Sequence, residues 1–548
     1  MTLLRTKEEE ESTKLLAENY HLPYADLLMF PIELDALAAL PHDRAEAGEM
    51  AVFQSVGKEL RVGVHNPNKE ETKAALKHLE DEGFHLVRFL VSHRSLRHVW
   101  DLYAKIPKFN TLTSGSIQLS EERIAFLRGQ IKRIAQIGPL IEEAFRARTT
   151  DLLEIIMAGA MRMDASDVHL EPTASAVRIR YRLDGVLHDT ASLPLKPYKF
   201  LLSRIKLVAE MKLNIHDRAQ DGRFTIHTDG VDVEIRASVL PGPDGENIVL
   251  RILNPQALDV KFEDLGMQPW VREVMNRELR RPNGMIITTG PTGSGKTTTL
   301  YTMLKKIYNP EVKVITLEDP IEYHLPGIEQ TRVDHEKGYD FPKGLRAIVR
   351  QDPDVILVGE IRDFDTADTA LNAALTGHLV FSTLHTNNAA GTIPRLINLG
   401  VKPVSIAPAL NVAMGQRLVR KLCATCKNPI VPDENQVKLI SEELGHFPAG
   451  VPTPPREQWT LYTPSPEGCE ECNEMSYKGR IGVYEIILIG DALESIIMHE
   501  PSEAEIKKIA AASGQITMRQ DGILKVLAGI TDMNELDRVI GTDERMGR

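Results

Sequence analysis

Residues 285–300 read MIITTGPTGSGKTTTL. A short apolar run, Met285 to Thr288, enters a G-x-x-x-x-G-K-T loop from Gly290 to Thr297, after which Leu300, Met303, Leu304 and Ile307 recur at helical spacing. Strand, loop and helix N-terminus in this order suit a triphosphate. Gly290, Gly293 and Gly295 remove side chains from the turn so that backbone N–H groups can approach phosphate, with Pro291, Thr292 and Ser294 completing the cradle. Lys296 can reach the β- and γ-phosphates, the Thr297 hydroxyl can ligate Mg²⁺, and Thr298 stands beside it. The reading is a nucleoside triphosphatase in an α/β core.

Two further apolar runs end in acids. Val312 to Leu317 leads into Glu318-Asp319-Pro320-Ile321-Glu322, and Val355 to Val358 leads into Gly359-Glu360-Ile361-Arg362-Asp363. Ligands of open α/β sheets bind at the carboxyl ends of strands, which places the first cluster to orient or deprotonate an attacking water. Glu360 stands where many triphosphatases carry a magnesium-coordinating aspartate; its longer reach favours contact through a metal-bound water. Leu379 to Thr383 is bracketed by His378 and His385. A neutral imidazole can donate a hydrogen bond to a γ-phosphate, and His385 is the better candidate.

Ahead of this core, residues 167 to 253 change to short strands. Val177, Ile179, Tyr181 and Leu183 alternate with Arg178, Arg180 and Arg182, so one face is expected to be buried and the other basic. In RFTIHTDGVDVEIR (223–236), Asp229-Gly230 forms a two-residue hairpin signal whose simple register pairs Phe224 with Ile235 and Arg223 with Arg236. Opposed arginines repel, so these two either splay into solvent or share an anion.

At 548 residues the chain is long enough for two to four domains. Its 65 basic and 77 acidic residues give a net charge of −12, which argues against a generic nucleic-acid binder and makes protein partners the expectation. No apolar stretch approaches the ~18 residues that span a bilayer, and the opening MTLLRTKEEEESTK is acidic where a signal peptide is basic. A cytoplasmic protein without direct membrane insertion is expected. The 4 cysteines form two C-x-x-C pairs, Cys423/Cys426 and Cys469/Cys472, enough thiolates to close a tetrahedral structural zinc site at the base of a long Pro-rich insertion.

Taken together these blocks resemble the secretion ATPase superfamily that drives type II secretion and type IV pili, in its GspE/PilB assembly branch, over nearly the whole chain. The phosphate loop, an aspartate box (TLEDPIEY, 316–323), a magnesium strand (VILVGEIRD, 355–363) and a histidine box (TGHLVFSTLHT, 376–386) stand in the family's order, and ASDVHLEP (165–172) with VRIRYRLDGVL (177–187) is similar to its second N-terminal domain. The resemblance implies a multidomain α/β protein: a small α/β docking domain (1–104), a flexible linker (105–119), a PAS-like α+β domain (120–258), and a RecA-like P-loop ATPase core (259–548) carrying the zinc element (423–472). It implies Glu322 as general base, Glu360 holding magnesium through water, His385 at the γ-phosphate, and Arg223 and Arg236 as arginine fingers when the domains close. It further implies ATP, Mg²⁺ and Zn²⁺ as cofactors and a homo-hexamer. The partners would be an inner-membrane platform protein and a membrane-anchored docking protein, holding the ring peripherally at the cytoplasmic membrane. The RLG-x-x-L repeats with which some members bind cyclic di-GMP are not found in the sequence. Three alternatives stay open: a pilus-retraction or DNA-uptake ATPase with the same chemistry, a zinc-ribbon nucleic-acid-binding protein, and a scaffold that binds ATP without turnover.

Overall fold

The computed structural model describes all residues except 1, 31, 33, 38, 57–58, 82–83, 106–115, 119–126, 128, 132, 148, 229–230, 256–258 and 542–548. The Asp229-Gly230 turn and most of the expected linker lie outside the described residues. The chain forms two compact units, Met1–Thr113 with Lys212–Ile215, and Ser114–Met211 with His216–Arg548. Among the described residues no helix is long and apolar enough to cross a membrane.

The first unit contains a mixed three-stranded sheet. Strand β1 (Met50–Val56) runs antiparallel to β2 (Glu59–Val64), which is parallel to β3 (His85–Leu90). Leu60, Val62 and Val64 alternate inward along β2 and meet Ala75, Leu76 and Leu79 from the helix Glu70–Asp81.

In the second unit two seven-stranded sheets each carry their own core. The first sheet comprises β4 (Ser116–Gln118), β5 (Asp167–Pro172), β6 (Val177–Leu183), β7 (Val186–Leu193), β8 (Gln220–Thr228), β9 (Val231–Gly242) and β10 (Gly245–Leu253), in the order β4-β8-β9-β10-β5-β6-β7. Strand β4 falls at the end of the expected linker (105–119), where Ser116–Gln118 pair in parallel with Thr225–His227 of β8. Strand β6 buries Val177, Ile179, Tyr181 and Leu183 and turns Arg178 outward, the alternation expected from its sequence. Gly222 has a packing reason, because a Cβ there would meet the Ala209 carbonyl oxygen at 2.1 Å.

The second sheet is parallel except at one edge. It contains β11 (Gly284–Thr289), β12 (Val314–Glu318), β13 (Glu329–Arg332), β14 (Val355–Val358), β15 (Leu379–Leu384), β16 (Leu410–Leu422) and, after the short pair β17 (Asn428–Ile430) and β18 (Leu461–Thr463), the antiparallel edge strand β19 (Tyr477–Leu488). The order is β13-β12-β14-β15-β11-β16-β19, so the phosphate-loop strand lies between β15 and β16. Strands β11, β12, β14 and β15 are buried along their whole length, which is why they read as continuous apolar runs. Asp363 caps the helix Phe364–Leu375 just behind β14, accepting from the Thr366 amide at 2.8 Å. Asp363→Ala is expected to lower the stability of this core by ~1 kcal/mol, read from the midpoint of its urea transition.

The C-terminal helices lock β16 through buried charge. Glu535, fully buried, accepts hydrogen bonds from Arg420 and Arg538 at 2.7 and 2.6 Å. Burial pushes its carboxyl up, and these arginines outweigh burial and bring it down to about 2. The resulting stability is present above the ordinary value of 4.5 and is lost as pH falls toward about 2. Glu535→Gln should flatten the pH dependence of unfolding across that window by roughly 2–3 kcal/mol, measured in denaturant at several pH values.

Candidate active site

The loop after β11 adopts backbone that only glycine takes easily. Gly290, Gly293 and Gly295 have φ of 149, 79 and 87°, and a Cβ on Gly290 would stand 2.6 Å from both the Gln416 carbonyl oxygen and Ser294 Oγ. Pro291, Thr292 and Gly293 line its exposed rim, Ser294 is buried, and Thr297 and Thr298 are half-buried in the first turn of the helix Lys296–Ile307. The Lys296 ammonium donates to the Gly290 and Pro291 carbonyls at 2.7 and 3.1 Å, folded across its own loop. Burial lowers its pKa, Glu360 opposes that shift, Arg417 adds to it, and Glu322 opposes it again. Two carboxylates and a second cation therefore bear on the charge of this lysine.

The acids of the aspartate box separate by environment. Glu318, at the end of β12, is buried and accepts hydrogen bonds from Tyr301, from Thr316 at 2.6 Å and from Gln330 at 3.2 Å. It holds the loop and is closed to solvent. Asp319 lies 3.5 Å from His335 Nε2. Glu322, four residues beyond Glu318, is half-buried, and its charge reaches Lys296 and Tyr323. Glu360 follows β14, pairs with Arg362, and lies 3.4 Å from His385 Nε2 at the carboxyl end of β15. His378 sits at the opposite end of β15, where its Nδ1 meets the Ala373 carbonyl at 2.9 Å, outside the site.

The hairpin register is as read: Arg223 pairs with Arg236 and Phe224 with Ile235. The row continues, since Arg236 also pairs with Arg251 on β10, and Arg251 with Asp167 on β5. Directly paired residues share a sheet face, so three arginines stand side by side, the last held by Asp167 at 3.1 Å. Arg223 is exposed. Arg236 crosses to the ATPase core and donates from Nη2 to the Ile321 carbonyl at 2.6 Å, one residue before Glu322. Arg251 was missed by sequence reasoning because only the β9–β10 register reveals it. Arg417 was missed too, although Gln416-Arg417 interrupts an otherwise apolar run in β16. Its guanidinium donates to the Gln416 and Asn387 carbonyls at 3.2 and 2.8 Å, against the phosphate loop.

The four cysteine sulfurs lie within 4.8 Å of one another. Three Sγ–Sγ separations, Cys423–Cys469, Cys426–Cys472 and Cys469–Cys472, are 3.7, 3.8 and 3.7 Å. A tetrahedron with Zn–S bonds of about 2.3 Å has edges of about 3.8 Å, so the donor set fits zinc. Amides of Cys469 and Ser476 point at Cys472 Sγ, both at 3.2 Å, as donors to a thiolate do.

Comparison with known proteins places the chain in a family. The family model described as type II/IV secretion system protein matches residues 142–538. The type II secretion system protein E of Pseudomonas aeruginosa is 41% identical over 432 residues, 78% of this chain and 83% of that protein. The type IV pilus assembly ATPase PilB of Myxococcus xanthus is 34% identical over 539 residues, 96% and 91% of the two chains. Among solved structures the Legionella pneumophila ATPase DotB has a TM-score of 0.51 at 19% identity over 71% of this chain and 95% of that one, a likeness of fold. With a family model spanning most of its length and relatives of this identity, the chain belongs to the type II/IV secretion system protein family, as an ATPase of its GspE/PilB branch.

Proposed function

We propose that the chain is a magnesium-dependent motor of type II secretion or type IV pilus assembly, working as a homo-hexamer held peripherally on the cytoplasmic membrane by partner proteins. The observation that carries this reading is Arg236, which reaches from a different sheet to the carbonyl before Glu322, beside a phosphate loop whose lysine feels both Glu322 and Glu360. Such an arrangement lets domain closure complete the site.

In this reading Lys296 leaves the Gly290 and Pro291 carbonyls to bind the β- and γ-phosphates of ATP. Glu322 takes the proton of the attacking water, His385 donates to the γ-phosphate, and Arg223 and Arg236 meet the charge that develops during transfer. Thr297 and, through water, Glu360 would hold Mg²⁺, which when bound screens the triphosphate charge. Cys423, Cys426, Cys469 and Cys472 would hold Zn²⁺ as a structural cross-link. Residues 1–104 would dock on a membrane-anchored protein, 120–258 carry the arginines, and 259–548 hydrolyse ATP and drive an inner-membrane platform protein.

The test is Mg²⁺-dependent hydrolysis by the purified chain as a function of its concentration, with mass measured in solution. Specific activity should rise as the hexamer forms. Binding of ATP without turnover in every assembled state would replace the motor by a nucleotide-gated scaffold.

A further inference from the structure

Residues 473–480, immediately after the last cysteine, form a second meeting place between the arginine-bearing sheet and the ATPase core. Arg133 Nη1 pairs with Glu474 Oε1 at 2.8 Å. The Asp184 carboxylate, at the β6–β7 turn, accepts from the Gly479 amide at 2.8 Å and lies 3.6 Å from Arg480 Nε. Met475 packs against the apolar core beneath β5–β10.

The loop that makes these contacts takes a shape it would not adopt unaided. Asn473, Glu474 and Ser476 have φ of 52, 64 and 65°, a left-handed region that Asn tolerates and that Glu and Ser avoid. The cysteines supply the restraint. Glu474 N donates to the Cys469 carbonyl at 2.9 Å, Met475 N to the Cys472 carbonyl at 3.0 Å, and Ser476 N to Cys472 Sγ at 3.2 Å, while Cys423 N donates back to the Ser476 carbonyl at 2.9 Å. Residues 474–476 are thus each tied to a cysteine.

We propose that this cysteine-held loop is the fixed docking point of the arginine-bearing domain on the ATPase core of the same chain, with Arg133, Asp184, Glu474 and Met475 acting as positioning residues for Arg236. The inference rests on the proposed role of Arg236; metal at the cysteines would stiffen the loop further. At the nucleotide end, the bond from Arg236 to the Ile321 carbonyl has to open before the guanidinium reaches a phosphate. At the cysteine end, several contacts of different kind persist, so the domain turns about that end. The Arg133–Glu474 pair is about half exposed on both sides and contributes little alone; packing of Met475 and the Asp184 carboxylate supply the rest.

The test uses the full chain, assayed first for zinc content, with the variants Met475→Ser, Arg133→Glu, Glu474→Arg and the double charge reversal. Amide hydrogen exchange is followed over 133–147 and 184–188, together with kcat and KM for ATP. Met475→Ser should speed exchange in those segments and lower kcat by about tenfold with KM little changed, because a small misplacement of a transition-state group acts on rate, and each single reversal should do the same to a smaller degree. The double reversal should recover most of both effects, and chelation of the metal should reproduce the exchange change while β11 and β15 stay protected. Unaltered exchange in Met475→Ser, or no recovery in the double reversal, overturns the docking role. A zinc-free protein would overturn the metal reading alone, since the variants would still report on docking; a motor that fails to assemble would leave the exchange result intact.

Discussion

Glu322→Gln is expected to lower kcat by ~10² to 10⁴ with ATP affinity almost unchanged, because the amide keeps the shape of the side chain and loses its basicity. In the proposed reading ATP is held by the loop amides and Lys296, on which Glu322 acts only as the last of several influences. The neighbouring Glu318 provides the contrast. It is enclosed by Tyr301, Thr316 and Gln330, so Glu318→Gln should disturb the β12 loop and stability without the same selective effect on turnover. Steady-state hydrolysis alongside equilibrium nucleotide binding separates the two. A Glu322→Gln protein retaining kcat within a factor of about three would assign the base elsewhere, since a positioned base contributes at least ~10².

How much of this was legible follows from what kind of signal each residue leaves. The phosphate loop and strands β11, β14 and β15 are local in sequence and continuously apolar, and the arginine pair followed from hairpin register alone. The distinction between Glu318 and Glu322 was not legible as burial, because both come after the same apolar run, and only the fold shows that Glu318 ends β12 and is enclosed by Tyr301, Thr316 and Gln330. Of His378 and His385, which flank β15, His385 was the candidate preferred from the sequence, and it is the one at the strand end beside Glu360. Strand β4 is three residues long and carries no pattern, and β13, EQTR, is a polar edge strand. The C-terminal assembly was also hidden. Arg519, almost wholly buried, joins Glu443 of the insertion at 2.6 Å to Asp537 of the last helix at 2.9 Å, a contact between residues far apart in sequence.

Arg236→Ala carries the second large expectation, a fall in kcat of about 10³ at near-normal ATP binding. In the structure Arg236 is engaged with the Ile321 carbonyl and, at 3.4 Å, with Glu234. A purely structural arginine would therefore lower stability when removed. The cross-strand setting argues the other way, because Arg223 and Arg251 flank it, and removing the middle of three like charges relieves repulsion by a few tenths of a kcal/mol. The two roles thus predict different signs in different measurements. A group that acts on the transition state gives an unchanged or slightly raised unfolding midpoint with a large loss in single-turnover rate, and Arg236→Lys does not restore it, since an ammonium lacks the planar fork of donors. A docking group gives a lowered midpoint with a small loss in rate, and lysine, which can still reach the Ile321 carbonyl, recovers much of it. Loss of less than tenfold in the alanine variant would leave Arg236 with the docking role only, and would move the search for the phosphate-facing cation along the same row to Arg223 and Arg251.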